Sequence, residues 1–248
     1  MKLSTILGFI IGFGIIIIGI ANQDTIVDFI NLPAMLIVLG GTLAAILISF
    51  SSTAIFDAIT SFSAIFTASS CSPRNAIEIV VNLSKAARTS SFESLLQNKD
   101  VKRVPILERG LSLIAEDVKA ERIEVILTRE SKAVSDRNRT GERVFRVAGS
   151  FAPMFGIIGT VIGLVVMINQ GLEAFDPGEI TMSMALALLS TFYGLLLTAL
   201  LFRPLSSKIR DNNHTNNKVN EIIIEGVLSI QKGENSQITR EKLLSYLY

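Results

Sequence analysis

The sequence predicts an all-α, polytopic membrane protein, and three observations predict it. Of 248 residues, 49% are hydrophobic and only 18% are charged, a balance outside that of an ordinary soluble domain. The apolar residues gather into four runs long enough to cross a bilayer as helices. The charged stretch between the second and third runs has helical rather than alternating periodicity. The expected organisation is therefore two spans joined by a short loop over 1–50, a helical domain over 51–150, two further spans over 151–202, and a helical tail over 203–248.

The first run, Thr5 to Ala21, follows a single Lys2. A secretory signal shares that basic start and oily core, but there is no clear small-x-small cleavage site and the run is long enough to span. Gly8 and Gly12 form a GxxxG pair suited to close helix packing. After a short loop with Asp24 and Asp28 and no base, Pro33 stands where a helix would begin. The second span is expected from Pro33 to Phe50.

Between Ser51 and Ser150, Val104, Leu107, Leu111, Ile114 and Val118 fall on one face of an amphipathic helix. Ile79, Leu83 and Ala86 make a shorter stripe, as do Ile123, Ile126 and Leu127. The third span, Phe151 to Gln170 (FAPMFGIIGTVIGLVVMINQ), contains no Asp, Glu, Lys, Arg or His. A loop with Glu173, Asp176 and Glu179 precedes the fourth span, Ile180 to Phe202. In the tail, Ile222 to Ile230 is expected to be helical with Gly233 ending it, and the polar run Asn212 to Asn217 with His214 is expected to be a solvated loop.

Of the 23 Lys and Arg, one precedes the first span, fifteen lie in the long loop and seven in the tail, and neither short loop has any. The positive-inside rule then places both termini and the long loop in the cytoplasm. A single cysteine, Cys71, excludes an internal disulfide framework, and the single His214 leaves no histidine cluster for a metal. Phosphate-loop, HExxH and GxSxG patterns are absent from the sequence, so neither catalysis nor a resident cofactor or metal is expected. Nor is a nucleic-acid partner.

The spans carry no intramembrane carboxylate or amine, so a chain that conducts ions must borrow a carboxylate from a partner. They do carry small and hydroxyl residues in register. Gly156, Thr160 and Gly163 line one side of the third span; Ser183, Ala187, Ser190 or Thr191, Gly194 and Thr198 line one side of the fourth. Two readings stand for these hydroxyls: helix packing with bonds to the i−4 carbonyl, or an ion path. Pro153 and Pro204 lie at the cytoplasmic ends of these spans, as helix ends or as a pair of hinges or seats at an active interface.

These residues resemble the MotA/PomA family of flagellar motor stator subunits, distantly related to the ExbB and TolQ proteins. The resemblance runs through MKLSTILG, LIVLGGT, AARTSSF, VFRVAGSFAPMFGIIGTVIGLV, MALALLSTFYG and VLSIQKGENSQITREKLLSYL, and is strongest to the sodium-type PomA proteins. It implies a homopentameric ring in the bacterial inner membrane around a single-span MotB/PomB-like partner whose membrane Asp binds the driving ion. It also implies contact with a FliG-like rotor protein.

Pro153 and Pro204 match the two family prolines. Thr160, Ser190 and Thr191 match the hydroxyl positions of sodium-driven members, with Ser in place of the first Thr of a pair. On this resemblance Na+ is the expected transported ion, the third and fourth spans line the ring, and Gly156, Gly163 and Gly194 belong to their interface. Arg88 matches the rotor-facing base. The family's acid eight residues later falls on Leu96, and the nearest acid is Glu93. An ExbB/TolQ-like proton channel is the alternative, and a non-conducting scaffold a third reading; the four spans and inside amino terminus speak against the former.

Overall fold

The computed structural model describes residues 2–21, 26–67, 71–89, 91–173 and 177–247, and among these every regular element is helical. The helices are α1 (Lys2–Ala21), α2 (Leu32–Met35), α3 (Gly41–Ser49), α4 (Ser52–Thr67), α5 (Pro73–Ala86), α6 (Phe92–Leu95), α7 (Lys99–Lys102), α8 (Pro105–Ala115), α9 (Ala120–Glu173), α10 (Pro177–Leu196), α11 (Arg203–Gln231) and α12 (Ser236–Leu244). Two π-helical turns, Leu36–Gly40 and Leu197–Phe202, connect α2 to α3 and α10 to α11 without a break.

The chain divides into two compact units. One comprises Met1–Phe66 with Thr140–Ile209, the other Thr67–Arg139 with Arg210–Tyr248. Both are assembled from segments distant in sequence, so α4 and residues 140–150 of the long loop belong with the apolar helices and the remainder of the loop does not.

Three helices are long and apolar enough to cross a membrane: Val27–Ser49, Ala120–Gln170 and Pro177–Gln231. The first apolar run, Thr5–Ala21, is helical but shorter. Of the short loops expected before the second and fourth spans, 22–25 with Asp24 and 174–176 with Asp176 lie outside the described residues; Ile26–Phe29 is a turn of 3-10 helix, 171–173 end α9 and 177–179 begin α10.

Local chemistry sets the helix boundaries. The Asn31 side chain accepts from the Ala34 N–H at 2.9 Å, with Pro33 in the first turn as expected. Ser72 caps α5 through the Asn75 N–H at 3.2 Å, and Pro73 follows it. Gly233, at φ +67°, ends α11: its N–H donates to the Ile230 carbonyl and the Glu234 N–H to the Ser229 carbonyl, both at 3.1 Å. The same pair of bonds ends α8, where Asp117 takes the left-handed position at φ 59°. Val118 thereby turns back onto the core, beyond the helix but still half-buried.

The core of the second unit is built on α5, α8, α11, α12 and the start of α9. Leu107, Leu111, Ile123, Leu127, Ile222, Ile223, Val227 and Leu243 are fully enclosed there. The stripe read on α5 is displaced from its expected centre. Ala76, Ile77, Val80, Val81 and Leu83 are buried, whereas Ile79 and Ala86 are only half-buried. Of the third stripe, Ile123 and Leu127 are buried and Ile126 is exposed.

The polar run with His214 is helical, not a loop. Asn213, Asn217 and Asn220 recur at helical spacing on α11 and pair with α9. The Asn213 amide donates to Ser135 Oγ at 3.1 Å, that of Asn217 to the same oxygen at 2.9 Å, and that of Asn220 to Ser131 Oγ at 2.9 Å. Asn138 donates to Asn213 Oδ1 at 3.3 Å. Loop-forming composition is overridden because the amides of Asn213, Asn217 and Asn220 find partners on the neighbouring helix. His214 stays exposed on α11.

In the first unit, Ile46, Ala58, Val144 and Ala148 form one cluster, and Ile65, Leu205 and Ile209 another. These tie α3, α4 and α11 to the first-unit part of α9 and leave the rest of that helix to meet α10.

Candidate functional site

Where α9 and α10 run side by side, they approach closely because glycines face backbone. A Cβ on Gly163 would come within 2.7 Å of the Ser183 carbonyl oxygen and 2.8 Å of the Ala187 nitrogen. One on Gly156 would lie 2.9 Å from the Ser190 carbonyl oxygen, and one on Gly194 2.6 Å from the Ala152 carbonyl oxygen and 3.1 Å from Pro153 Cα. Gly159 likewise leaves no room beside the Ser190 side chain. The sequence-derived interface glycines therefore share one seam, with Pro153 seated against Gly194.

Thr160 sits in the middle of this seam, half-buried. Its hydroxyl lies 3.1 Å from both the Gly156 and Ala187 carbonyl oxygens and 2.5 Å from Thr191 Oγ1. Thr191 Oγ1 also lies 3.5 Å from the Gly156 carbonyl oxygen. Ser190 points elsewhere: fully buried, it fills the space over Gly159 and donates to the Leu186 carbonyl at 2.5 Å. Of the matched hydroxyl pair, Thr191 alone joins Thr160.

Four oxygens thus cluster at one level: the two hydroxyls and the carbonyls of Gly156 and Ala187. A hydroxyl has two lone pairs and one proton, so each threonine can accept while it donates. Such neutral oxygens are suitable partial ligands for a hard cation, but the apolar stretches 151–170 and 180–202 contain no carboxylate to offset the cost of placing charge there. A Ser183 hydroxyl bond to Gln170 Oε1 at 2.7 Å and to the Glu179 carbonyl at 3.0 Å closes the seam nearer the 174–176 connection.

The prolines do not end helices. Pro153 lies inside the 54-residue α9, and Pro204 is the second residue of α11, directly after the Leu197–Phe202 π-turn. A proline offers no N–H to the carbonyl four residues earlier and crowds it. At Pro204 the backbone responds by widening: the Arg203 N–H reaches back five residues to the Thr198 carbonyl. At Pro153 the helix remains α-helical, and the orphaned carbonyl, that of Gly149, accepts from the Thr198 hydroxyl at 3.1 Å.

Sequence reasoning missed Tyr193. Its hydroxyl donates to the Phe29 carbonyl at 2.5 Å and accepts from the Asn31 N–H at 3.0 Å, fastening α10 to the turn before α2. A tyrosine in an apolar span needs a partner for its polar tip, which was the available signal. Gly149 had no signal of its own, since its importance follows from a residue four positions on.

The two rotor-facing candidates lie in the second unit. Arg88 is exposed on the turn after α5, with Nη2 3.5 Å from the Gly233 carbonyl oxygen, and Glu93 is exposed in the first turn of α6. Leu96 is half-buried against the apolar core.

Residues 98–222 match the model of the MotA/TolQ/ExbB proton channel family. The chain is 31% identical over 250 residues to the chemotaxis protein PomA of Vibrio alginolyticus, covering 100% of this chain and 96% of the relative. It is 33% identical over 248 residues to motility protein A of Borreliella burgdorferi, covering 100% and 94% respectively. A chain of the flagellar MotAB stator complex from Bacillus subtilis superposes with a TM-score of 0.84 at 27% identity, covering 99% of this chain and 96% of that one.

Proposed function

The chain belongs to the MotA/TolQ/ExbB proton channel family, its relatives include chemotaxis and motility proteins rather than enzymes, and from that premise we propose that it is the ring-forming stator subunit of a flagellar motor. It couples inward cation flow to torque, with four membrane spans and both termini in the cytoplasm. A single-span MotB/PomB-like partner supplies the membrane Asp, five copies of this chain surround it, and a FliG-like rotor protein meets the surface carrying Arg88 and Glu93. The relatives and the MotAB superposition support the stator role.

The observation that carries the ion reading is the pairing of Thr160 with Thr191 across the glycine seam, beside two carbonyl oxygens and without any acid. Hydroxyls and carbonyls are ligands for dehydrated sodium, whereas a proton needs only the partner's carboxylate. Sodium is accordingly the proposed coupling ion.

The test places this chain and its single-span partner in a stator-less flagellated host. Swimming speed is measured while sodium is varied at fixed proton-motive force. Speed should rise and saturate with sodium; speed indifferent to sodium would discard the sodium assignment. Failure of every chain and partner combination to restore swimming would discard the stator role and favour a scaffold.

A further inference from the structure

We propose that Thr198 is a positioning residue: its side chain carries the hydrogen bond that Pro153 removes from α9, and its backbone carries the adjustment that precedes Pro204. Three observations meet at this buried threonine. The Gly149 carbonyl, four residues before Pro153, cannot receive an N–H from the proline ring, and the Thr198 hydroxyl lies 3.1 Å from it. One turn earlier on α10, Gly194 presents only hydrogen to Ala152 and Pro153, the approach that brings Thr198 within reach. The Thr198 carbonyl accepts the Arg203 N–H in the π-turn that widens the helix ahead of Pro204.

The hydroxyl has one proton and two carbonyls before it, Gly149 at 3.1 Å and its own Gly194 at 2.9 Å. A threonine in a membrane helix commonly bonds only the latter. What distinguishes Thr198 is that its second acceptor is denied the helix's usual donor, the N–H four residues on, because that residue is Pro153. An orphaned carbonyl buried beside apolar helices is costly, so the proton is shared where it matters to both helices. One side chain thereby ties the proline break in α9 to that in the α10–α11 helix, and a displacement at either proline is passed to the other.

Two arms test this, using the full-length chain. In detergent, the thermal midpoint is measured for Thr198→Val and Thr198→Ser, each with Pro153 and with Pro153→Ala. Beside Pro153, valine should lower the midpoint by about 2–4 °C, while serine keeps most of the stability. With Pro153→Ala the backbone N–H returns to Gly149, and the gap between valine and serine should largely close. Equal effects of serine and valine, or a gap unchanged by Pro153→Ala, would overturn the proposal.

The second arm rests on the stator reading and measures swimming in the host described above. Thr198→Val should reduce maximal speed by roughly twofold or more without moving the ion concentration that gives half-maximal speed, with rescue by serine. A shift in that concentration instead would overturn the positioning role. An unsubstituted chain that shows the thermal coupling but never restores swimming would refute the stator reading and leave the hydrogen bond standing.

Discussion

Thr160 and Thr191 meet hydroxyl to hydroxyl at 2.5 Å, thirty-one residues apart in sequence and on opposite sides of the α9–α10 seam. Neighbouring Ser190 turns away to cover Gly159. Ser190 is thereby placed for packing, and Thr160 and Thr191 are the pair that the proposed ion path would use.

Removing one partner of that pair should affect function more than stability. Thr160→Ala is expected to cost about 1 kcal/mol of stability, leave membrane assembly intact and depress swimming most strongly at limiting sodium. Thr160→Ser should retain most of the speed. Full activity of Thr160→Ala at low sodium would return Thr160 to a packing role.

Glycines of the seam and glycines outside it should respond oppositely to alanine. Gly163→Ala puts a methyl against the Ser183 carbonyl and Ala187 nitrogen, forcing backbone apart at about 1–3 kcal/mol. Nothing lies within 4 Å of a Cβ on Gly8, so Gly8→Ala should be neutral or gain up to about 1 kcal/mol from helix propensity. Thermal midpoints in detergent compare the two, and similar shifts would show that the seam tolerates a methyl.

The asparagine ladder should hold the α9 and α11 segments of the second unit in register. Asn213 is 6% exposed and serves both Ser135 and Asn138. Asn213→Leu leaves a buried polar group short of a partner and should cost about 1–3 kcal/mol. Hydrogen exchange should accelerate over 128–139 and 210–221; unchanged protection would assign the ladder no structural weight.

Lys242 bonds to Glu225 and lies 3.8 Å from Glu234. That hydrogen bond, with the nearby carboxylates, holds its ammonium above the ordinary lysine value of 10.5. A raised folded-state value stabilises fully below 10.5 and is lost only as pH climbs through the folded value. Lys242→Gln should therefore cost the same at neutral and mildly alkaline pH. The side chain is 39% exposed, so the cost should stay below about 1 kcal/mol and shrink with salt. A cost that vanished on going from neutral to mildly alkaline pH would contradict this.

Much was legible in the sequence because it is local. Hydropathy identifies apolar helices by summing neighbours, proline and glycine mark helix starts and ends, and Gly233 ended α11 as expected. Gly156, Thr160 and Gly163 could be placed on one face by spacing alone. The expected loop at His214 shows the limit: asparagines favour loops only while their amides lack a better partner, and α9 supplies it.

By itself, then, the sequence determined that this is a helical membrane protein with small, partly hydroxylated faces and no intramembrane acid of its own, since each property belongs to a single segment. Tertiary structure alone decided that Thr191 rather than Ser190 meets Thr160, that Tyr193 fastens the turn before α2, and that Thr198 answers the carbonyl left open by Pro153. The two threonine pairings depend on the antiparallel register of the helices that meet at the glycine seam. Register is fixed by how closely backbones approach across glycine, a distance no single helix encodes.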